Sequence, residues 1–184
     1  MPYLTAVSAL LSTGCLVSDL GICFIPILQF MVKKFSVKRA ILISAGHNDA
    51  YWNALTFISQ DGTYLNEYQG EEILHIYHSA RFHKAPVNNL GKGEGAEVHF
   101  DLYFKCLTEF IESGAIQKEN FKVVVDPCNG AGAGIVDLFC HSLNYELIPV
   151  HNKPTQRGQN SSPGWWPSSR PYATTSISTR MSTS

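Results

Sequence analysis

The sequence predicts an α/β fold: three layers, with a mixed, mostly parallel sheet between helices on its two faces. Three observations carry this. Two short apolar runs, 15–20 and 39–44, flank a helical stretch at 26–36 with short links, the pattern of a parallel βαβ unit. A second strand–helix–strand pattern follows over residues 122–150. The chain is 45% hydrophobic and 16% charged, which is enough apolar surface for a globular core and excludes a fully disordered chain.

Residues 4–13 (LTAVSALLST) are expected to form a helix closed by Gly14. Residues 15–20 (CLVSDL) form a buried strand. Residues 26–36 form a helix with Pro26 in its first turn and Lys33 and Lys34 in its last. Residues 39–44 (RAILIS) are the next strand, and a polar loop runs from Ala45 to Tyr51. Residues 52–59 form a strand that ends at the Asp61–Gly62 turn signal. A helix opens at Asn66 or Glu67 and runs to about His78, with Ile73, Leu74 and Tyr77 in register. Residues 86–95 (PVNNLGKGEG) are expected to be a loop. Over 96–112, Val98, Leu102, Cys106, Leu107 and Phe110 have helical spacing. Lys122–Asp126 is a strand, Ala131–Ser142 a helix and Tyr145–Val150 a further strand. A domain boundary is placed between Phe110 and Phe121.

From Thr155 the composition changes. The last 30 residues hold 13 Ser or Thr, three Arg and no acid, so apolar periodicity is lost and a disordered tail is expected.

The same arithmetic narrows the function. A net charge of −1 argues against nucleic acid as a partner, because phosphate binding needs a basic excess. Cys15, Cys23, Cys106, Cys128 and Cys140 form no CxxC pair and sit in apolar stretches, so they read as small hydrophobes in a reduced, cytoplasmic compartment. Residues 4–32 are apolar enough to suggest a membrane span. Asp19 in the middle, and Gly14, Gly21 and Pro26 along the run, favour a buried helix–strand–helix and no membrane association.

Two motifs could carry chemistry. Ile43-Ser44-Ala45-Gly46-His47-Asn48-Asp49 follows a buried strand, where open α/β sheets place ligands, and His47 could move a proton or contact a phosphate. The plain alternative is a loop of small polar residues. Asp126 to Gly134 (DPCNGAGAG) joins a strand to a helix, where backbone N–H groups could face an anion. Its spacing is GxGxG, not the GxGxxG of a dinucleotide site, so a tight βα turn is the better reading. His75 and His78, near Glu71 and Glu72, and the glycines of 91–95 are weaker candidates, explained by a polar surface and a flexible loop.

Four stretches resemble the α-D-phosphohexomutases, the family of phosphoglucomutase, phosphomannomutase and phosphoglucosamine mutase. They are LLSTGCLVSDLGICFIP (10–26), AILISAGHNDAYWNALTFISQDGTYLN (40–66), FKVVVDPCNGAGAGI (121–135) and YELIPVHNKP (145–154). The resemblance implies an N-terminally incomplete domain I over 1–116, the opening of domain II over 117–154, and a disordered or frameshifted tail over 155–184. It also implies a reaction on hexose phosphates in carbohydrate metabolism, an isomerase working by intramolecular phosphoryl transfer between the 1- and 6-positions. Family members carry a phosphoserine in a T/S-A-S-H-N-P loop and hold Mg2+ with it and with a D-x-D-x-D loop.

This chain departs from that pattern. Ser44, Ala45, His47 and Asn48 match the loop, but Gly46 stands at the phosphoserine position and Asp49 at the proline. His47 carries over as a catalytic candidate, Ala45, Gly46 and Asn48 as phosphate-loop residues, and Ser44 as a reserve nucleophile. No D-x-D-x-D occurs in the 184 residues, so no metal ligand is assigned. The expectation is a phosphohexomutase-family fragment without turnover of its own. The alternative is a non-catalytic binding module, associating with a full-length homologue.

Overall fold

The computed structural model describes residues 2–44, 53–153 and 175–181. In chain order the elements are α1 (Pro2–Ser12), β1 (Cys15–Ile22), α2 (Ile25–Lys34), β2 (Arg39–Ser44), β3 (Ala54–Ile58), α3 (Glu67–Ser79), a 3-10 turn (Val87–Asn89), β4 (Gly93–Gly95), α4 (Phe100–Thr108), α5 (Ser113–Lys118), β5 (Lys122–Val125), α6 (Ala133–Ser142), β6 (Glu146–Pro149) and β7 (Thr175–Met181). Strands β3-β2-β7-β1-β4 form one sheet, and β5 and β6 form a parallel pair. The five-stranded sheet is mixed. β1, β2 and β4 run one way, β3 and β7 the other.

Strand alternation makes the three layers. Ile41 and Ile43 of β2 and Val17 of β1 pack against Tyr3, Ala6, Val7, Leu10 and Leu11 of α1. Ala40 and Leu42 of β2 and Leu20 of β1 belong to the opposite face, with Ile27, Leu28, Met31 and Val32 of α2. Those four α2 residues fall at i, i+1, i+4 and i+5, the buried stripe of an amphipathic helix. Full burial of such side chains stabilises by roughly 1.5–3 kcal/mol each. Ring contacts then run from α2 through α4 to α6: Phe30 to Tyr103 at 5.4 Å, Tyr103 to Phe104 at 5.7 Å and Phe104 to Phe139 at 5.4 Å. The core is thus continuous across the stretch expected to divide two domains.

Asp19, the charge that argued against a membrane span, is a hub. Its Oδ2 accepts the Tyr3 hydroxyl at 2.6 Å, and its Oδ1 accepts the Gly21 N–H at 2.8 Å. Gly21 has φ +63° and closes a bulge opposite β7. The bond to Asp19 holds the Tyr3 hydroxyl above its ordinary pKa. Among the described residues no helix is long and apolar enough to cross a membrane.

Three expectations are corrected. Residues 175–181, expected within a disordered tail, form β7, which lies antiparallel between β1 and β2. Thr, Ile and Thr alternate there, and two facing strands offer backbone pairing that a composition argument does not see. Residues 86–95, expected to be a loop, hold the 3-10 turn and β4, which pairs with β1. A Cβ at Gly91 would overlap the Cys15 carbonyl, so glycine is what permits this approach. The helix expected from residue 96 starts at Phe100, and the Ala96 N–H instead donates to the Asp19 carbonyl at 2.7 Å, extending the pairing of β4 with β1. α5 falls within the interval between Phe110 and Phe121 where the domain boundary is placed. The five cysteines form no disulfide with one another.

Leu28→Ala is expected to destabilise the chain by about 2–5 kcal/mol, and Asn66→Ala by about 1 kcal/mol. Leu28 is fully buried, and Asn66 caps α3 in a reciprocal capping box with Gln69. Urea unfolding of the two variants checks both values; equal effects would contradict this account of the core.

Candidate functional site

The first candidate begins at the carboxyl end of β2. Ser44 is half-buried and opposite Ala54, so the strands that bracket the loop are paired at its base. β1 and β4 point the same way as β2, which places Ile22, Ser44 and Gly95 toward one edge of the sheet. That is the edge at which open α/β sheets receive ligands. Ala45, Gly46, His47, Asn48 and Asp49 lie outside the described residues.

The second candidate is described in full, at the carboxyl ends of β5 and β6. Asp126 follows β5. Its Oδ1 accepts the Cys128 N–H at 2.8 Å, and its Oδ2 accepts from His151 Nδ1 at 2.9 Å. The Asn129 N–H donates to the His151 carbonyl at 2.6 Å, and the Lys153 N–H donates to Asn129 Oδ1 at 3.2 Å. Cys128, Asn129 and His151 all have positive φ. This clasp ties the loop after β5 to the segment after β6. The hydrogen bond from His151, with that from Cys128, holds the Asp126 carboxyl below its ordinary range against a smaller opposing effect of burial.

The glycines behave as a turn. The Gly130 N–H donates to Pro127, the Ala133 N–H to Gly130, and the Ile135 and Val136 N–H groups to Gly132. The first donors of α6 are therefore largely used within the turn, which fits the βα-turn reading rather than an anion cradle. A Cβ at Gly134 would meet nothing within 4 Å, so close helix–sheet packing is not what that glycine supplies. His151 was not singled out from the sequence. The available signal was its place just past a strand parallel to the one that precedes Asp126.

The remaining candidates stay apart. His75 and His78 are exposed on α3. Among the described residues no group of three or more His, Cys, Asp or Glu is arranged to hold a metal ion. The donor set of the described residues therefore does not fit a magnesium site.

Comparison with known proteins decides the family. The profile for phosphoglucomutase/phosphomannomutase alpha/beta/alpha domain I matches residues 4–84, and that for domain II of the same enzymes matches residues 101–164. The chain belongs to the phosphoglucomutase/phosphomannomutase family. It is 28% identical over 148 residues to a phosphoglucomutase/phosphomannomutase of Thermococcus kodakarensis, covering 80% of this chain and 32% of the relative. It is 27% identical over 143 residues to a phosphoglucosamine/phosphogalactosamine mutase of Sulfurisphaera tokodaii, covering 77% and 31%. It is 32% identical over 134 residues to a phosphoglucosamine mutase of Thermodesulfovibrio yellowstonii, covering 70% and 29%. The crystal structure of a phosphoglucomutase/phosphomannomutase family protein from Burkholderia thailandensis shares the fold, with TM-score 0.65, 20% identity, and coverage of 86% of this chain and 35% of that one. The chain spans about a third of the length of the curated relatives it matches.

The Asp126–His151 clasp has a pH signature. A carboxyl held below its ordinary pKa stabilises the fold fully above the unfolded value near 4, and that stability is lost as pH falls through the lower folded value. Asp126→Asn is expected to flatten the decline in melting temperature between about pH 5 and pH 2. Parallel melting curves for wild type and variant over that range would rule the clasp out as a contributor.

Proposed function

We propose that this chain is part of a phosphohexomutase-type unit whose substrate is a hexose phosphate, and that the chain by itself does not turn over. The observation that carries the reading is the Ser44-Ala45-Gly46-His47-Asn48 run, which starts at the carboxyl end of β2 within the residues matched to domain I. In the family reaction a phosphoryl group passes from an enzyme serine to one sugar hydroxyl, and the other phosphoryl group returns to the serine. Gly46 offers no oxygen for the first transfer. His47 would move a proton at the reacting hydroxyl, and Asn48 would hold phosphoryl oxygens with its amide N–H groups. Ser44 keeps a reserve role, because it lies two residues upstream on the strand. The division at residues 116 and 154 belongs to the same reading, with residues 175–181 returning to the main sheet as β7.

A second reading, association with a full-length homologue, is favoured by one observation. The β5–β6 pair leaves Val124 at 64% and Ile148 at 41% exposure, an apolar face that a larger assembly would cover.

Incubation of the pure chain with glucose 1-phosphate and Mg2+, followed by 31P NMR, is expected to yield no glucose 6-phosphate. Glucose 1,6-bisphosphate is expected to add one phosphoryl group to Gly46→Ser and none to the wild type, read by mass spectrometry. Turnover by the wild type overturns the proposal. Equal labelling of both proteins at Ser44 would move the nucleophile to that residue.

A further inference from the structure

β4 closes one edge of the main sheet, and a cavity of about 190 Å³ lies between it and α2. Strand alternation explains its position. Ser18 and Leu20 of β1 share a face with Glu94, which is opposite Ser18, and with Ala96, two residues further on. Small side chains at Ser18 and Ala96 leave open a space over α2 that larger ones would fill. The floor is apolar and buried, formed by Leu20, Val32 and Val37. The rim is polar. Glu94, Glu97 and His99 are exposed there, and the His99 ring lies 5.4 Å from that of Phe35.

Two carboxylates thus stand at the mouth of an apolar cavity. The Ser18 hydroxyl donates to Glu94 Oε1 at 3.5 Å, which keeps that carboxylate beside the floor. Neither Glu94 nor Glu97 forms an ion pair among the described residues, and no Lys or Arg is among the described residues that line the cavity. A carboxylate at the edge of a low-dielectric surface attracts a cation more strongly than one in open water. Size sets the rest. A cavity of about 150 Å³ holds a benzene-sized molecule, so this one takes a ring or a short chain carrying one charged group. The phosphate of a hexose phosphate would meet like charge here. The position differs too, since Val37 precedes β2 and the Ser44 run leaves its carboxyl end.

We propose that this cavity binds a small organic cation, an ammonium or guanidinium on an apolar body, with the charge beside Glu94 and Glu97 and the body on Leu20, Val32 and Val37. The apolar floor and the acidic mouth are both needed to select such a molecule. The cavity is small and open on one side, so binding is weak, with a Kd on the order of 1 mM.

Titration of the full chain with phenethylammonium, followed by proton–nitrogen NMR, tests this. The amides of Ser18, Glu94, Ala96 and His99 are expected to shift and saturate together. Phenethyl alcohol, the same body without the charge, should bind about three- to tenfold more weakly, because exposed ion pairs contribute modestly. Phenylacetate should not bind measurably. Glu94→Gln/Glu97→Gln should lower the affinity for the amine to that for the alcohol and leave the melting temperature unchanged, since both side chains are exposed. Ala96→Leu should fill the cavity and abolish binding of both. No saturable shift up to about twenty times the expected Kd overturns the proposal. Equal affinity for amine and alcohol, or saturable shifts confined to other residues, overturns it equally. So does binding of the extended peptide acetyl-Val-Lys-Val-amide about tenfold more tightly than the free amine, which would make the β4 edge a peptide groove.

Discussion

The burial of one stripe of α2 against the sheet is the constraint on which the rest of the architecture depends. Ile27, Leu28 and Val32 are fully buried, and Met31 nearly so, against Leu20, Ala40, Leu42 and Ile58. This crossover aligns β1 and β2 in the same direction, one strand apart, and leaves between them the place that β7 takes. It also leaves the opposite face of β1 and β2 to α1. Phe24 and Phe30 on and beside α2 meet Tyr103, and through Phe104 and Phe139 the same core reaches α6. Loss of that stripe would unseat both helical layers and the strand order together.

Asp19 shows how a half-buried polar residue is accommodated beside such a core. A carboxylate near the middle of an apolar segment is costly unless its oxygens are paired. One oxygen takes the Tyr3 hydroxyl from α1, and the other takes the Gly21 N–H at the bulge. The Asp19 backbone carbonyl takes the Ala96 N–H beyond β4. A single residue therefore ties the first helix, the first strand and the sheet edge.

The two carboxyl edges differ in what they offer chemistry. The edge of the main sheet presents the start of the Ser44–Asn48 run, which the resemblance aligns with the family's phosphoserine loop, with Gly46 at the position of the serine. The edge of β5 and β6 presents Asp126 and His151 in a closed clasp whose donors and acceptors largely satisfy one another. A satisfied network of that kind holds two loops together and has little left for a ligand. The loop after β5 is thus closed by its own hydrogen bonds.

Local pattern was enough to read α2, β2, β5, α6 and β6 to within a few residues, because each carries its periodicity or its end signals in its own sequence. The resemblance at Ser44, His47 and Asn48, and the substitution at Gly46, were also legible, since they are statements about residue identity in one short loop. The Asp126–His151 pair was not, because residues 25 apart meet only when β5 and β6 lie side by side. β4 was hidden for a similar reason: nothing in Gly93-Glu94-Gly95 predicts a strand until β1 presents an edge for it to pair with, which the chain reaches through the close approach of Gly91 to Cys15. β7 was hidden most of all, for Thr175–Met181 has no apolar pattern, and its hydrogen-bonding partners lie more than 130 residues earlier in the chain. The sequence by itself determined which segments are apolar on one face. The tertiary structure decided which backbones pair and which polar groups meet, because those depend on distances between segments that no local pattern encodes.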